Sequence, residues 1–296
     1  MKSQIERLRS IVCQHGHATR PAGYPLRLDL LKQILAVPTC SGQEDQMVDF
    51  LASHVRNGSK GLRGTCVTDA WNNILIRKGD APCLPCVAAH LDTVHPPRPV
   101  QIIEQDGMLF GLDQQGQRYG IGADDKSGVF ICVELLERLD NIAVALFASE
   151  EIGCQGAYHA PAAWFDDMGY VIEFDCPGRG LVSYTSGGTR LFGNEGDFIR
   201  AAGPVLRAHG LTSWQYHPFS DVMALKQRFD LSCLNLSCGY HNWHRPDEYV
   251  VLDEIEAALG AGIDLIEALG CRHYKFGDGD EDAVLTPVEI TGLQLA

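Results

Sequence analysis

Residues 142–157 read IAVALFASEEIGCQGA and join a strand pattern to a pair of acids. The first seven residues are all apolar, and their number and β-branched content predict a strand buried on both faces of a parallel sheet. Glu150 and Glu151 follow at once, before Gly153 and Gly156. Because open α/β sheets bind their ligands beyond the carboxyl ends of the strands, this stretch predicts an active site at that edge.

The remainder of the chain alternates such strands with helical patterns. Strands are predicted at residues 66–76 (two short strands), 84–91, 100–119 (short antiparallel strands), 170–174, 181–184 and 231–236. Helices are predicted at residues 2–15, 26–36, 41–57, 125–139, 193–209, 222–227 and 252–269. The alternation predicts an α/β fold, a three-layer α/β/α arrangement with a mixed, mostly parallel central sheet.

The helix predicted at residues 41–57 has a specific start signal. Ser41 begins Ser-Gly-Gln-Glu, so its side chain is expected to cap the helix while Glu44, three residues later, completes a capping box. No repeat, low-complexity linker or change of composition divides the chain. We therefore expect a single domain over residues 1–296.

Composition limits the possible partners and the compartment. The formal net charge of −14 over 296 residues argues against nucleic acid or an anionic membrane surface as the main partner. The first residues lack the apolar core of a secretory signal, and no apolar run approaches the ~18 residues of a membrane span. The 11 cysteines therefore predict reduced thiols in the cytoplasm.

Two local patterns have less weight. Cys83 and Cys86 form a lone CxxC, which could be a redox pair or half of a zinc site. On a strand, however, residues three apart face opposite sides of the sheet, which disfavours both readings. The acidic stretch at residues 277–282 resembles the start of a calcium loop but lacks its closing glutamate, and it is interpreted as a solvated turn.

Four more pairs of polar residues stand at or near predicted strand ends or helix starts. They are His90 with Asp92, Asp124 with Asp125, Glu173 with Asp175, and His241 with His244. Each has a plain structural explanation, such as a helix cap or a solvated surface. Gathered at one sheet edge, however, unneutralised carboxylates would repel one another and raise their own pKa values. Divalent cations resolve that conflict, and imidazole with carboxylate is a donor set that suits zinc.

The order of these motifs along residues 88–250 resembles a known family. The motifs are HisLeuAspThr, GlyAlaAspAspLysSerGly, SerGluGluIleGly, PheAsp and HisAsnTrpHisArgProAspGlu. Together they resemble the dinuclear zinc exopeptidases, and most of all the group of peptidase T, carboxypeptidase G and the acetylornithine and succinyl-diaminopimelate deacylases. The one-domain zinc aminopeptidases are also similar, but there the bridging aspartate is usually followed by Asn, whereas Asp125 follows here.

The resemblance implies a role for each motif residue around two divalent ions, zinc before cobalt or manganese. The implied first-metal ligands are His90 and Asp175, the bridging ligand is Asp124, and the second-metal ligands are Glu151 and His244. It also implies that Glu150 is the general base, that Asp92 orients the imidazole of His90, and that the Asp124–Asp125 peptide bond is cis. His241 remains the alternative to His244.

Most members of that group carry a lid domain inserted between the last aspartate ligand and the final histidine. Here Asp175 and His244 are 69 positions apart (244 − 175), which the sheet and its helices need. The lid is therefore expected to be absent, and any oligomer would form without it. Asp221, in SerAspValMetAla, could meet a substrate amino group or cap the next helix.

These expectations define a dinuclear zinc hydrolase of short peptides, an aminopeptidase or a dipeptidase or tripeptidase. Without the lid arginine that grips a substrate carboxylate, an aminopeptidase is favoured over an N-acyl amino acid deacylase. A silent domain that binds metal and peptide is a third hypothesis. The intact Glu150 argues against it, because a silent relative would be expected to lose its base first.

Overall fold

The computed structural model describes residues 25–57, 64–193 and 196–274. The helix predicted at residues 2–15 and the acidic turn at residues 277–282 lie outside these ranges. The strands of the described part are β1 Gly64–Thr68, β2 Ile74–Lys78, β3 Leu84–His90, β4 Gln101–Gln105, β5 Met108–Leu112, β6 Arg118–Tyr119, β7 Ile142–Phe147, β8 Met168–Cys176, β9 Leu181–Ser186, β10 Thr189–Arg190, β11 Ser213–His217, β12 Cys233–Ser237, β13 Tyr240–His241 and β14 Tyr249–Val251.

Helices separate most of these strands. They are α1 Leu28–Ala36, α2 Asp45–Asn57, α3 Ala123–Arg138, α4 Gln155–His159, α5 Ala162–Phe165, α6 Asp197–Ala208, α7 Asp221–Phe229 and α8 Leu252–Leu269. Among the described residues, no helix combines the length and the apolar character that crossing a membrane requires. The predicted positions of α1, α3, α6, α7 and α8 agree with these bounds to within a few residues.

The main sheet has nine strands in the order β1-β2-β7-β3-β8-β12-β9-β10, and β11 pairs with β9. The four central strands, β7, β3, β8 and β12, run parallel, and antiparallel strands flank them on each side. His90 is paired with Phe147, and Ala88 with Glu173. The carboxyl ends of β3, β7 and β8 therefore lie side by side, and we call this boundary the carboxyl edge.

The core lies on both faces of the central strands, as the apolar runs predicted. Every residue of β3, β7 and β8 is buried. Helix α3 packs on these three strands and is itself covered by α1 and α8, whereas α7 contacts β3, β8, β9 and β12. Phe174 of β8 lies against Gly262 of α8, and its neighbour Glu173 faces the side of α7, as the two-residue period of a strand requires. The mixed three-layer α/β/α fold is thus confirmed.

A second, antiparallel sheet joins two distant parts of the chain. Its order is β13-β14-β5-β4, and β6 pairs with β5. The strands at residues 101–119 were predicted, but β14 was missed because three residues are too few to show a period. Arg118 of β6 donates hydrogen bonds of 2.9 Å to the carbonyl oxygens of both Asp247 and Glu248. These bonds fasten the loop that contains His244 to the second sheet.

The start signal predicted at Ser41 is wrong. Helix α2 begins only at Asp45, and the hydroxyl of Ser41 donates to Asp92 instead of capping a helix. The carboxylate of Glu44 accepts a hydrogen bond from the N–H of Gly42 but none from Ser41. A capping box is a local pattern, and here contacts to distant residues compete successfully for both side chains.

Candidate metal centre

The carboxyl edge brings five of the predicted motifs together. His90 ends β3, and Asp92 lies just beyond it. Asp124 and Asp125 form the first turn of α3, Glu150 and Glu151 follow β7, and Asp175 stands one residue before the end of β8. His244 lies in the loop between β13 and β14. The tertiary structure therefore brings candidate residues from five motifs, spread over residues 90–244, to the one edge of the sheet where the strand ends predicted a site.

His90 is surrounded by carboxylates. Its Nε2 atom lies 3.1 Å from Asp124 Oδ1, 3.6 Å from Asp175 Oδ1 and 3.9 Å from Glu150 Oε2. Its Nδ1 atom is 3.0 Å from the carbonyl oxygen of Asp92, which fixes the orientation of the ring. Burial alone would lower the pKa of His90, but the hydrogen bonds to these aspartates raise it well above its usual value. The site therefore attracts positive charge strongly.

Asp124 contacts both histidines, one through each oxygen. Its Oδ2 atom lies 3.3 Å from His244 Nε2, which is also 3.1 Å from Glu151 Oε1. The hydrogen bonds to Asp124 and Glu151 raise the pKa of His244 to about 10. One carboxylate thus joins an inner group around His90 to an outer group around His244.

His241 takes part in a different set of contacts. Its Nε2 atom lies 2.6 Å from Glu254 Oε2, and its ring stacks on Tyr249 with centroids 5.0 Å apart. Of the two candidate histidines, His244 is therefore the one that the structure places against Asp124 and Glu151.

The donor atoms lie close enough together to hold a metal ion. Suitable atoms of His90, Asp124 and Glu151 lie within 4.8 Å of one another, and so do those of His90, Asp125 and Asp175. An imidazole with several carboxylates is a donor set that fits zinc or a similar divalent cation. The residues present therefore fit the group that the motifs imply.

Asp125 belongs to the second of these sets, although the motifs assigned it no ligand role. Its carboxylate is fully buried and accepts hydrogen bonds from the N–H groups of His90, at 3.2 Å, and Gly128, at 3.0 Å. It thereby ties the start of α3 to the end of β3. The Asp124–Asp125 peptide bond is cis, as the resemblance implied.

Glu150 and Glu151 are neighbours in the chain but have different surroundings. The carboxylate of Glu150 is nearly buried and touches the thiol of Cys154 at 3.7 Å, whereas that of Glu151 meets His244. Burial raises the pKa of Glu150 well above its usual value, and the charges of Asp175 and other nearby acids add to this, with His90 opposing them. A carboxyl group of this kind can hold a proton at neutral pH.

Asp92 acts on both sides of the site. Its Oδ1 atom lies 3.5 Å from His90 Nδ1 and accepts a hydrogen bond of 2.9 Å from the N–H of Glu150. Burial opposes the charged form, but His90, the hydroxyl of Ser41 and the Glu150 N–H together lower the pKa of Asp92. It is therefore an ionised carboxylate that holds one imidazole and one backbone segment.

Sequence reasoning assigned no role to Glu248, the buried acid behind the Asp124 loop. Its Oε2 atom accepts a hydrogen bond of 2.6 Å from the N–H of Gly122, and Oε1 one of 3.3 Å from the N–H of Asp124. Glu248 is the last residue of the motif HisAsnTrpHisArgProAspGlu. Its burial at 0% exposure could have been suspected from its place before the apolar residues of β14, but its target could not.

The N-cap role considered for Asp221 is wrong. Ser220 occupies the N-cap position of α7 and Asp221 is the first helical residue. Its carboxylate is fully buried and neither oxygen accepts a hydrogen bond within the described residues, so the contact to a substrate amino group stays a prediction. Burial raises its pKa well above the usual value.

The sheet, the carboxyl edge and the mixed imidazole and carboxylate donors define a metallohydrolase. The model of peptidase family M28 matches residues 73–250, more than half of the chain and all of the donor residues. The chain belongs to this family and is a metallopeptidase. No curated protein matches its sequence.

Solved structures share the fold at low identity. A tripeptidase from Staphylococcus aureus subsp. aureus Mu50 has a TM-score of 0.68 at 12% identity, covering 82% of this chain and 97% of its own. The aminopeptidase PepT from Bacillus cereus ATCC 10987 gives the same four values. The TET1 peptidase of Pyrococcus horikoshii has a TM-score of 0.60 at 15% identity, covering 82% and 98%. At these identities the likeness establishes the architecture.

Proposed function

We propose that this protein is an aminopeptidase of short peptides whose site holds two divalent ions, with zinc as the preferred metal and cobalt or manganese as alternatives. The observation that supports two ions is the position of Asp124, whose oxygens lie 3.1 Å from His90 Nε2 and 3.3 Å from His244 Nε2. A carboxylate between two separate donor groups is the arrangement that a bridging ligand requires. The names of the fold relatives, tripeptidase and aminopeptidase, agree with this proposal.

We assign the ligands of each ion from the contacts between their side chains. His90 and Asp175 would hold the inner ion, Glu151 and His244 the outer ion, and Asp124 both. When bound, such ions polarise a scissile carbonyl and lower the pKa of water, which is the chemistry that peptide hydrolysis needs. Asp92 would keep the imidazole of His90 in its orientation.

Glu150 is proposed as the general base. It has no contact with His244, and its raised pKa suits a group that accepts a proton and later releases it. We infer that it takes the proton of the attacking water and returns it to the amine of the leaving peptide. A ligand would be a weaker base, because a bound metal ion favours the ionised carboxylate and so opposes its protonation.

We further propose that the chain is one catalytic domain without an inserted lid. Residues 176–243 supply β9 to β13 together with α6 and α7, which belong to the two sheets and their covering helices. Without a lid arginine, a free substrate carboxylate or acylated amino acid loses its usual partner. This favours peptides recognised otherwise than through their carboxyl end.

The test compares two substrate classes on the metal-loaded protein. Aminoacyl-anilides and tripeptides are expected to be hydrolysed, and N-acetyl amino acids are not. Glu150→Gln should lower kcat by about 10²- to 10⁴-fold while the bound metal stays at two ions per chain. Hydrolysis of N-acetyl amino acids alone would indicate a deacylase instead. Two bound ions with no turnover would indicate a silent binding domain, and less than one bound ion would exclude the dinuclear site.

We propose the cytoplasm as its compartment. All ten cysteines of the described residues are free thiols, which suits a reducing environment. Cys83 and Cys86 are among them, and burial raises the pKa of the Cys86 thiol, so it is a poor nucleophile. Cell fractionation tests this proposal, and recovery of the protein outside the cytoplasmic fraction would contradict it. Whether the chain assembles with copies of itself is open to a sedimentation measurement.

A further inference from the structure

The turn at residues 41–44, which precedes α2, contacts the carboxyl edge from outside the region that the family model matches. The hydroxyl of Ser41 donates a hydrogen bond of 2.6 Å to Asp92 Oδ2. Glu44 Oε1 accepts hydrogen bonds from the N–H of Ser149 at 3.1 Å and from its hydroxyl at 3.0 Å. Ser41 and Glu44, the two residues of the predicted capping box, therefore contact Asp92 of the site and Ser149 next to it.

Together with hydrogen bonds to Asp92, the contacts of Glu44 fix the backbone of residues 149–151. The N–H groups of Glu150 and Glu151 donate to Asp92, at 2.9 Å and 3.3 Å. Three consecutive N–H groups, those of residues 149–151, thus end on the carboxylates of Glu44 and Asp92. The segment after β7 is therefore held by two acids, both of which the 41–44 turn contributes or contacts.

The backbone of residues 149–151 needs contacts from elsewhere in the chain to keep its conformation. Ser149 has a φ of 59°, in the left-handed region that a residue with a side chain adopts at an energetic cost. The two acids that hold it are almost completely buried, Glu44 at 2% exposure and Asp92 at 0%. Away from water, hydrogen bonds from N–H and hydroxyl groups to ionised carboxylates are strong and directional. The hydrogen bonds to Glu44 and Asp92 therefore restrict the motion of the backbone at residues 149–151.

The 41–44 turn is itself fastened to the strand that contains His90. Thr39 donates from its hydroxyl to the carbonyl oxygen of Leu91 at 3.1 Å, and Thr93 donates from its hydroxyl to the carbonyl oxygen of Thr39 at 2.9 Å. Gly42 also donates its N–H to Glu44 at 2.9 Å, which keeps the carboxylate in place. The turn thus connects the segments that follow β3 and β7.

We propose that Ser41 and Glu44 are positioning residues for catalysis, which hold the backbone of residues 149–151 so that Glu150 and Glu151 keep their separate roles. This inference rests on the proposed function, because it takes Glu150 as the base and Glu151 as a ligand. Neither side chain belongs to the candidate metal-binding groups among the described residues. Their action passes through Ser149 and Asp92.

The test uses paired variants that remove a contact and restore it. Glu44→Leu removes the acceptor and keeps most of the volume, whereas Glu44→Gln restores an acceptor oxygen. Ser41→Ala removes the hydroxyl, and Ser41→Thr restores it. Matched controls lie in the core but far from the carboxyl edge. Glu134→Leu removes a buried acid that pairs with Arg27 and Arg138. Ser232→Ala removes a buried hydroxyl that donates to Tyr274.

For each variant, the measurements are kcat, KM, bound metal and the amide hydrogen exchange of residues 149–151. Glu44→Leu and Ser41→Ala should lower kcat by about 10- to 100-fold with KM unchanged, and speed exchange in this segment. The restoring variants should return both quantities toward the wild-type values. The controls should lower the melting temperature without changing kcat or the local exchange.

The exchange measurement separates this inference from the proposed function. If the wild-type protein hydrolyses no peptide, faster exchange in Glu44→Leu still supports the inference that Glu44 restrains the backbone of residues 149–151. Unchanged exchange overturns it. If the wild-type protein is active, a kcat of Glu44→Leu and Ser41→Ala within twofold of the wild-type value overturns the positioning role. An equal loss of kcat in the Glu134→Leu control overturns it too, because that loss would reflect general stability.

Discussion

Asp124 is the residue through which the two parts of the candidate site are connected. Each of its oxygens faces a different imidazole, His90 on the inner side and His244 on the outer side. Burial would raise the pKa of Asp124, but its hydrogen bonds to His244 and His90 hold it far below the usual range. It is therefore an ionised carboxylate at neutral pH, as a bridging ligand must be.

A substitution at each of the two histidines should separate their roles. His244→Ala removes a donor that touches Asp124 and Glu151, so the bound metal should fall from about two ions per chain to about one. His241→Ala removes a contact to Glu254 and should leave both ions in place. The measurement is metal analysis after dialysis against metal-free buffer. Equal losses in the two variants would contradict the assignment.

Helix α3 shows how closely an element must approach the sheet to deliver its residues. A Cβ atom added to Gly128 would lie 2.2 Å from the carbonyl oxygen of Phe174 and 2.5 Å from both carboxylate oxygens of Asp125. Only glycine leaves room for the first turn of α3 to press against β8. The contact keeps Asp125 within 3.2 Å of the backbone nitrogen of His90.

Gly128→Ala therefore tests the packing of this element. In an open helix the change would stabilise by about 0.5–1 kcal/mol. Here we expect the opposite sign, a loss of about 1–3 kcal/mol in the free energy of unfolding, because the neighbouring atoms are backbone and buried carboxylate. Urea denaturation measures the difference.

Gly196→Ala is the control for that experiment. Gly196 is the N-cap residue of α6, and among the described residues its added Cβ would have no neighbour closer than 3.8 Å, so the free energy of unfolding should fall by no more than about 1 kcal/mol. An increase in stability for Gly128→Ala would show that α3 does not pack as closely as described.

At the scale of the whole molecule, the site concentrates negative charge in a chain that is already acidic, with a formal net charge of −14. Among the described residues, six acids lie around His90: Asp92, Asp124, Asp125, Glu150, Glu151 and Asp175. Burial raises the pKa values of four of them above the usual range, and repulsion between neighbouring carboxylates adds to this. The folded state without cations should therefore be less stable than the folded state with them.

Removal of metal should show this as a change in melting temperature. A chelator should lower the melting temperature, and added zinc should restore it, with each site contributing about 2.7 kcal/mol at a metal concentration of 100 times its Kd. Glu150→Gln, which leaves the proposed ligands intact, should keep the full effect, and His244→Ala should keep about half of it. A melting temperature that does not respond to the chelator would argue against a metal-stabilised fold.

Much of this molecule could be predicted from local patterns. Each of these patterns lies within a short stretch of the chain. They are the apolar runs of β3, β7 and β8, the helical patterns between them, and the motifs at the strand ends. Burial of a strand on both faces leaves a continuous apolar run, and polar side chains at its end leave a short motif. The α/β class and the set of donor residues around His90 follow from such signals.

Other features depended on contacts between residues far apart in the chain. Ser41 meets Asp92 across 51 positions, Glu44 meets Ser149 across 105, and Glu248 meets Gly122 across 126. Hydrophobic periodicity carries no information about such pairs, because it reports only which face of an element is buried. The sequence by itself thus predicted which residues could bind a metal. Only the tertiary structure placed His244, and not His241, beside Asp124 and Glu151, and turned the side chains of a predicted helix cap toward Asp92 and Ser149.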